Sequence, residues 1–475
     1  MNLIGDPWIP VIDESNRRIE VGLKELYERS HEFRDLALLP HHRIAVTRLL
    51  LCITQAALDG PNDEQDWLEC KSRIVSESLK YLEKWKDSFN LYGDKPFLQI
   101  KSIERKDNAT LDKFDFSLAS GNNPTLFDHH AMEEGRNITD TSLAVNLLAY
   151  QCFSPGGRIG ENTWGGIPTA GNGSSLDGPC VEGEMLFTIL KGSDMLDTIH
   201  NNLITKNQIS SMPNGTWGTP VWERYPCDPN DKLINELSVS YLGRLVPLSR
   251  LILLHEKSAT LANGIEYKKL PEIREPMSTV FFTRDETAIY LKANPDRHIW
   301  RDLNSLLALE RRDFIGGGSL QFDHLNSHKD RVACSTVYVW TGGIAKDKGK
   351  IEDFCEWNFS VDIAILNKLG RYGEGVEHAH FGESKLKEMI SRYAKSISSE
   401  AASYRQKAVR FYWHDLDSCH EQLIAHVISG ELSSWQEIVK DRIFRAYTYA
   451  CPRETARQIQ AFAVGQREFH KKRRK

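Results

Sequence analysis

The 475-residue chain is poor in the short signatures that mark catalytic and metal sites. It contains no HExxH pair, no GxxxxGK[ST] loop and no GxSxG elbow, and no local spacing of carboxylates suggests a two-metal nuclease. Its nine cysteines (Cys52, Cys70, Cys152, Cys180, Cys227, Cys334, Cys355, Cys419 and Cys451) form no CxxC and keep no regular interval. That scatter argues against a zinc knuckle or a disulfide framework and predicts reduced thiols used as small core residues. No run approaches the ~18 uninterrupted apolar residues of a membrane span, and the opening MNLIGDPWIPV has no basic segment leading into an apolar one. These absences predict a cytoplasmic protein with no membrane partner, no cofactor and no metal.

An excess of basic charge is missing too. The formal net charge is −5, which argues against a surface that coats nucleic acid everywhere, so any basic patch has to be local. Hydrophobic residues make up 40% and charged residues 26%, as in a globular protein. The length exceeds what one core usually supports, so two unequal units are expected.

Pattern along the chain predicts an α+β fold: a large mixed α/β domain over residues 1–365 and a four-helix bundle over 366–475. NLIGDPWIPVID reads as a short strand with Pro7 and Pro10 placed where an edge or a turn tolerates them. A helix is expected from His41 to Leu58, and a second carries Trp67, Cys70, Ile74, Tyr81, Trp85 and Phe89 on one apolar stripe. Residues 102–123 read as loop. Asp140 is expected to cap a helix that stops at Pro155. GEMLFTILKG, STVFFT, AIYLKA and RVACSTVYVW read as strands, and helical periods follow at Leu386–Ile397, Ala401–Ile428, Trp435–Ala450 and Glu454–Phe469.

The helix before Pro155 empties into SPGGRIGENTWGGIPTAGNG, where seven of twenty residues are glycine. Such density serves positive φ angles, close backbone approach to a ligand, or phosphate cradling. The third use fails, because the loop follows a helix rather than a strand and holds no lysine at the required place. The histidine pairs His41-His42 and His129-His130, and His378 with His380, lack metal spacing and read as solvated or capping groups. Basic residues gather near the carboxy end: Arg405, Lys407 and Arg410 beside Tyr404, Phe411 and Tyr412, then Arg442, Arg445, Arg453, Arg457 and the tail KKRRK. Each alone reads as a solvated helix face; together they suggest a phosphate track.

The ordered set NLIGDPWIPV, KPFLQ, SGNNPTLFDH and SPGGRIG, ahead of a helical carboxy-terminal region, resembles the CasA-type large subunit of type I-E CRISPR Cascade over essentially the whole chain. The resemblance implies a non-enzymatic subunit that finds a short protospacer-adjacent motif (PAM) in double-stranded target DNA. It would help part the strands for R-loop formation while guide RNA reads the sequence, and it would recruit a helicase-nuclease. Its partners would be duplex DNA, the CRISPR RNA-bound Cascade subunits and that effector.

By the same resemblance, Gly156, Gly157 and Gly160 match the loop that approaches the minor groove of the motif, and Lys257, six residues before Asn263-Gly264, matches the lysine that enters the groove. Phe127 in PTLFDHH falls at the tip of a loop that touches the complex. The wedge turn falls on TGGIAKDKG, where Asp347 and Lys348 replace the family's Asn and Gln. Arg405, Lys407 and Arg410 would grip DNA backbone. Some relatives carry a cysteine cluster able to hold zinc, and the stretch Leu251–Asn263 has nothing comparable. Two rival readings stand: a phosphate- or nucleotide-using enzyme built on the glycine loop, and a scaffold subunit that never touches DNA bases.

Overall fold

Helix Pro40–Leu58 organises the amino-terminal unit. Pro40 occupies its first turn, where the missing amide hydrogen costs nothing, and the helix is buried on nearly every face from His41 to Gln55. It packs against helices Ile74–Lys84, Asp140–Phe153 and Tyr241–Leu245. The computed structural model describes residues 1–116, 138–154, 156, 159–171, 177–283, 285–295, 297–307, 317–327, 336–347, 350–362, 365 and 368–469. The fold is α+β, and the chain divides into two units: Met1–Asp296 with Ala308–Ser360, and Arg297–Leu307 with Val361–Lys475.

The first unit surrounds its helices with small sheets; among the described residues there are five, each of two or three strands. Its core runs from Trp8 and Tyr27 through Leu49, Phe97 and Leu147 to Trp222, Ile252 and Trp340, all nearly or fully buried. Arg48 lies inside this core. Its guanidinium pairs with Glu275 at 2.7 Å, with the two side chains 0% and 2% exposed, and donates to the Leu245 and Arg244 carbonyl oxygens at 2.9 and 2.6 Å. Breaking such a pair from one side costs about 3–5 kcal/mol, because a charge is left buried alone. The pair fixes helix Pro40–Leu58 to the chain that leads into the candidate site.

Three local expectations change. Strand Ile9–Asp13 is the middle strand of its sheet, between Arg18–Val21 and Phe33–Leu36. Pro10 is tolerated because it stands at the end of the pairing with the third strand, where its carbonyl accepts from the Ala37 amide at 2.9 Å and only a donor that proline lacks goes unused. The aromatic stripe is not one helix: Glu64–Cys70 and Ile74–Lys84 are joined by the tight turn Lys71–Arg73, and Lys86–Phe89 is another such turn. The expected loop from residue 102 contributes strands Ile103–Glu104 and Ala109–Thr110 and the turn Leu111–Phe114, each to a different part of the site.

Among its described residues the second unit holds a bundle of five helices, Leu369–Ser396, Ala402–Asp417, His420–Ser429, Leu432–Ala450 and Ala456–Phe469, besides the single turn Leu303–Leu306. The expected Ala401–Ile428 helix is interrupted at Ser418-Cys419, and the first helix starts well before Leu386. Four glycines in its first half hide that start from a propensity reading. One has a packing reason: a methyl group on Gly382 would stand 2.4 Å from the Tyr412 hydroxyl, which itself donates to the Ala379 carbonyl at 2.7 Å. Segment Arg297–Leu307 belongs to this unit. There the Trp300 ring nitrogen donates to Asp417 at 2.6 Å, and Arg301 lies 3.7 Å over the Trp413 ring.

Candidate nucleic-acid interface

Helix Asp140–Phe153 delivers the chain to the glycine loop. Its cap is Thr139, whose hydroxyl accepts from the Ser142 amide, while Asp140, the expected cap, is the first helical residue. At the other end the Gln151 carbonyl accepts from the Ser249 hydroxyl at 2.6 Å, and Ser154 is buried against the same hydroxyl at 3.3 Å. Gln151 also exchanges hydrogen bonds of 2.9 Å with the Arg250 backbone. The last turn of the helix is thereby fastened to the first residue of strand Arg250–Leu254. The Arg250 guanidinium is buried beside it, a cation at the negative end of the helix dipole. Desolvation lowers its proton affinity, and the nearby Tyr150 and Asp177 partly restore it.

Beyond the helix the loop is held by one carboxylate. The Gly156 amide donates to Asp177 Oδ1 at 2.7 Å, and Lys346 Nζ donates to Asp177 Oδ2 at 2.8 Å. Lys346 lies on strand Thr336–Asp347, which pairs with Phe187–Lys191 on one side and Lys350–Asp362 on the other. Asp177 therefore joins the glycine loop to the hairpin whose connection carries the expected wedge. Asp347 ends the first of those strands. Lys348, Gly157 and Phe127 lie outside the described residues.

The glycines divide by role. Gly165 and Gly166, with φ of 57° and 79°, form the two-residue turn between strands Asn162–Trp164 and Ile167–Thr169. They serve folding. Gly160 has no left-handed φ; a methyl group there would meet the Arg105 guanidinium at 3.4 Å, an ordinary contact. Arg105 in turn donates to the Leu261 carbonyl at 2.9 Å, so it stands between Gly160 and the strand that carries the Lys257 hairpin.

That hairpin is strand Arg250–Leu254 paired with Ser258–Asn263, the latter also pairing with Ala109–Thr110. Lys257 is exposed at its tip and forms no ion pair among the described residues. Asn263-Gly264 lies at the base, where Asn263 pairs with Arg250 and the Gly264 amide donates to the Ser249 carbonyl. The six-residue spacing is thus one strand length, and Asn-Gly makes no turn here. Sequence reasoning missed Asp177, Lys346, Arg105, Lys113 and Arg250. None belongs to a local motif; the contacts of Asp177, Lys346 and Arg105 span 21 to 169 residues.

In the bundle the structure separates the expected cations. Arg405 donates to the Ser391 hydroxyl at 2.5 Å, whereas Lys407 lies 4.6 Å over the Tyr449 ring. Two residues apart on a helix, they point about 200° apart. Arg410 is exposed, three residues from Lys407 and on its side. Arg442 and Arg445 both pair with Asp415, at 3.3 and 3.2 Å. The tail from residue 471 lies outside the described residues. Among the described residues no group of three His, Cys, Asp or Glu side chains is placed to hold a metal ion, and no helix is long and apolar enough to cross a membrane.

A mixed α/β unit followed by a helical bundle is a fold shared with solved CasA and Cse1 structures. The chain belongs to the CRISPR-associated Cse1 family, whose model it matches over residues 2–446. It is 26% identical over 509 aligned residues to CasA/Cse1 of Thermus thermophilus, covering 98% of this chain and 96% of that protein. The structure of Thermus thermophilus CasA superposes with a TM-score of 0.77 at 22% identity, covering 99% of both chains. A chain of a CRISPR RNA-guided surveillance complex superposes with a TM-score of 0.78 at 15% identity, also over 99% of both. At these structural identities the likeness is one of fold.

Proposed function

We propose that this chain is the non-catalytic large subunit of a type I-E CRISPR RNA-guided surveillance complex. It reads the PAM of duplex target DNA through the minor groove, helps open the duplex for R-loop formation and recruits the helicase-nuclease. Membership of the Cse1 family supports the assembly. One observation carries the DNA reading: the Gly156 loop, the strand leading to Asp347 and the base of the Lys257 hairpin are tied together through Asp177, Gln151 and Ser249. Three elements far apart in sequence would then meet one groove in a fixed geometry.

The division of labour follows from the chemistry of DNA. The minor groove offers mainly acceptors, adenine N3 and thymine O2, with the guanine amino group as the exception. An ammonium on a long stem at Lys257 favours acceptor-bearing steps, and side-chain-free backbone at Gly156, Gly157 and Gly160 allows close approach. Asp347 and Lys348 form the wedge, Phe127 contacts the complex, and Arg405, Lys407 and Arg410 grip backbone. The enzyme alternative loses ground because the loop leaves a helix carboxy end, whose dipole disfavours the phosphate cradle such an enzyme needs.

The test is a gel shift of the reconstituted complex, with and without this subunit, on guide-matched duplexes with randomised flanks. Lys257→Ala should cost about 1–3 kcal/mol of discrimination between good and poor flanks, roughly five- to 140-fold. It should leave binding unchanged on a target already single-stranded across the flank. Equal loss on both targets would make Lys257 a general phosphate contact. No loss on either would leave the scaffold reading.

A further inference from the structure

Beside the glycine loop stands a group of cations that the motif-reading roles leave unused. Arg105 follows strand Ile103–Glu104, which pairs with strand Asn162–Trp164 of the glycine-rich segment. Its side chain is half-buried between Gly160 and the Leu261 carbonyl. Of the five donors of a guanidinium, that carbonyl takes one. Lys113 is exposed on the turn Leu111–Phe114, fixed from beneath by Phe114, whose ring meets Tyr150 edge-on at 4.9 Å. Neither Arg105 nor Lys113 forms an ion pair among the described residues. The nearby Asp177 already holds the Gly156 amide and Lys346.

We propose that Arg105, between Gly160 and the Lys257 hairpin, and Lys113, on the turn that follows strand Ala109–Thr110 paired to that hairpin, form a phosphodiester site for the backbone of the target duplex next to the PAM. Clustered cations without carboxylate partners are an anion site by their chemistry, and a guanidinium with free donors matches phosphate oxygens in a fork geometry. Gly160 keeps the approach to that guanidinium clear of a side chain. The ionisation of Lys113 agrees: desolvation first, then the charges of Arg105 and Arg250, lower its proton affinity, and an anion held by Arg105 and Lys113 would relieve that repulsion. A contact of this kind sets register on the duplex without reading bases, which is what a minor-groove reader with few base contacts requires.

This proposal rests on the DNA-binding reading above, and its test separates the two. The full chain carrying Arg105→Gln, Lys113→Gln or both is reconstituted into the guide-bound complex, and affinity for a matched duplex is followed from about 50 to 200 mM salt. The double variant should flatten the logarithmic salt dependence by about 0.9, the change for one phosphate no longer neutralised, and weaken good and poor flanks by the same factor. A methylphosphonate duplex, uncharged at single flanking phosphates, should lose affinity for the wild-type complex at one position and lose nothing further with the double variant. Because Arg105 also holds Leu261, Lys113→Gln alone, at an exposed side chain, keeps the test independent of folding. A wild-type slope in both Lys113→Gln and the double variant overturns the phosphate site even if flank preference persists. Release of the subunit from the complex by these variants also overturns it, assigning the cations to RNA or a protein partner. A flattened slope in a complex that never discriminates flanks keeps the phosphate site and overturns motif reading.

Discussion

Removing the Asp177 carboxylate should unfasten the glycine loop from the hairpin strand. Asp177 accepts from the Gly156 amide at 2.7 Å and from Lys346 at 2.8 Å. The Lys346 and Asp177 side chains are 16% and 21% exposed, so water only partly replaces either partner. Hydrogen bonds to a charged group contribute about 1.5–3 kcal/mol each. Asp177→Ala should therefore raise the amide exchange rate of Gly156 about ten- to a hundredfold if that bond limits local opening. Asp177→Asn keeps an acceptor for the amide but gives up the attraction to Lys346, so it should fall between. The same order, wild type above Asn above Ala, is expected for flank discrimination by the reconstituted complex. Faster exchange at Gly156 with discrimination intact would refute the claim that loop position matters for reading DNA. Unchanged exchange in Asp177→Ala would refute the claim that this carboxylate holds the loop.

Two further outcomes follow from the same geometry. Gly165→Ala should lower the melting temperature, because a methyl group there would stand 2.5 Å from the Cys227 carbonyl and φ is 57°; Gly160→Ala should melt as wild type, and equal melting of both variants would void the distinction between folding glycines and surface glycines. Stability should also fall below neutral pH: burial holds His41 well below the usual histidine range and His42 at about 4. Unfolded histidines titrate near ~6.5, so the neutral folded form contributes fully above that pH. The contribution is lost as pH falls from about 6.5 towards 4, at up to about 1.4 kcal/mol per histidine per pH unit. A urea midpoint at pH 5 equal to that at pH 7 would contradict it.

Much of the fold was legible because the signals that encode it are local. The helix from Pro40 carries apolar residues on every face and a proline at its start, and strands such as Phe187–Lys191 are continuous β-branched and apolar runs. What failed to read was either conditional or disguised. Pro10 in a middle strand is possible because it stands at the last rung towards the third strand, where it need only accept from the Ala37 amide, a fact about register rather than about proline. The first bundle helix looked broken because its glycines lower helix propensity, while packing against Tyr412 requires one of them. The stretch from residue 102 is polar because it lies at the surface, yet its short strands complete two sheets.

The candidate site reads differently from its scaffold, and the reason is physical. Lys257 and the glycines are visible because each answers a local demand: a tip between two strands, a turn with positive φ, a backbone without side chains. The groups that fix their relative positions answer no local demand. Asp177 lies 21 residues from Gly156 and 169 from Lys346, and Arg105 lies 156 from Leu261. A carboxylate that joins two loops leaves no periodicity, so only the folded chain reveals it. The same holds for charge. A net of −5, and the flanking Glu104, Asp107, Asp112 and Asp115, hide Arg105 and Lys113 in the sequence, although neither cation forms an ion pair among the described residues. A surface that reads a few base edges needs little sequence signature of its own. For the proposed DNA reading it needs rigid spacing between loop and hairpin, and the helix end buttoned to a strand by Gln151 and Ser249 supplies such a fastening.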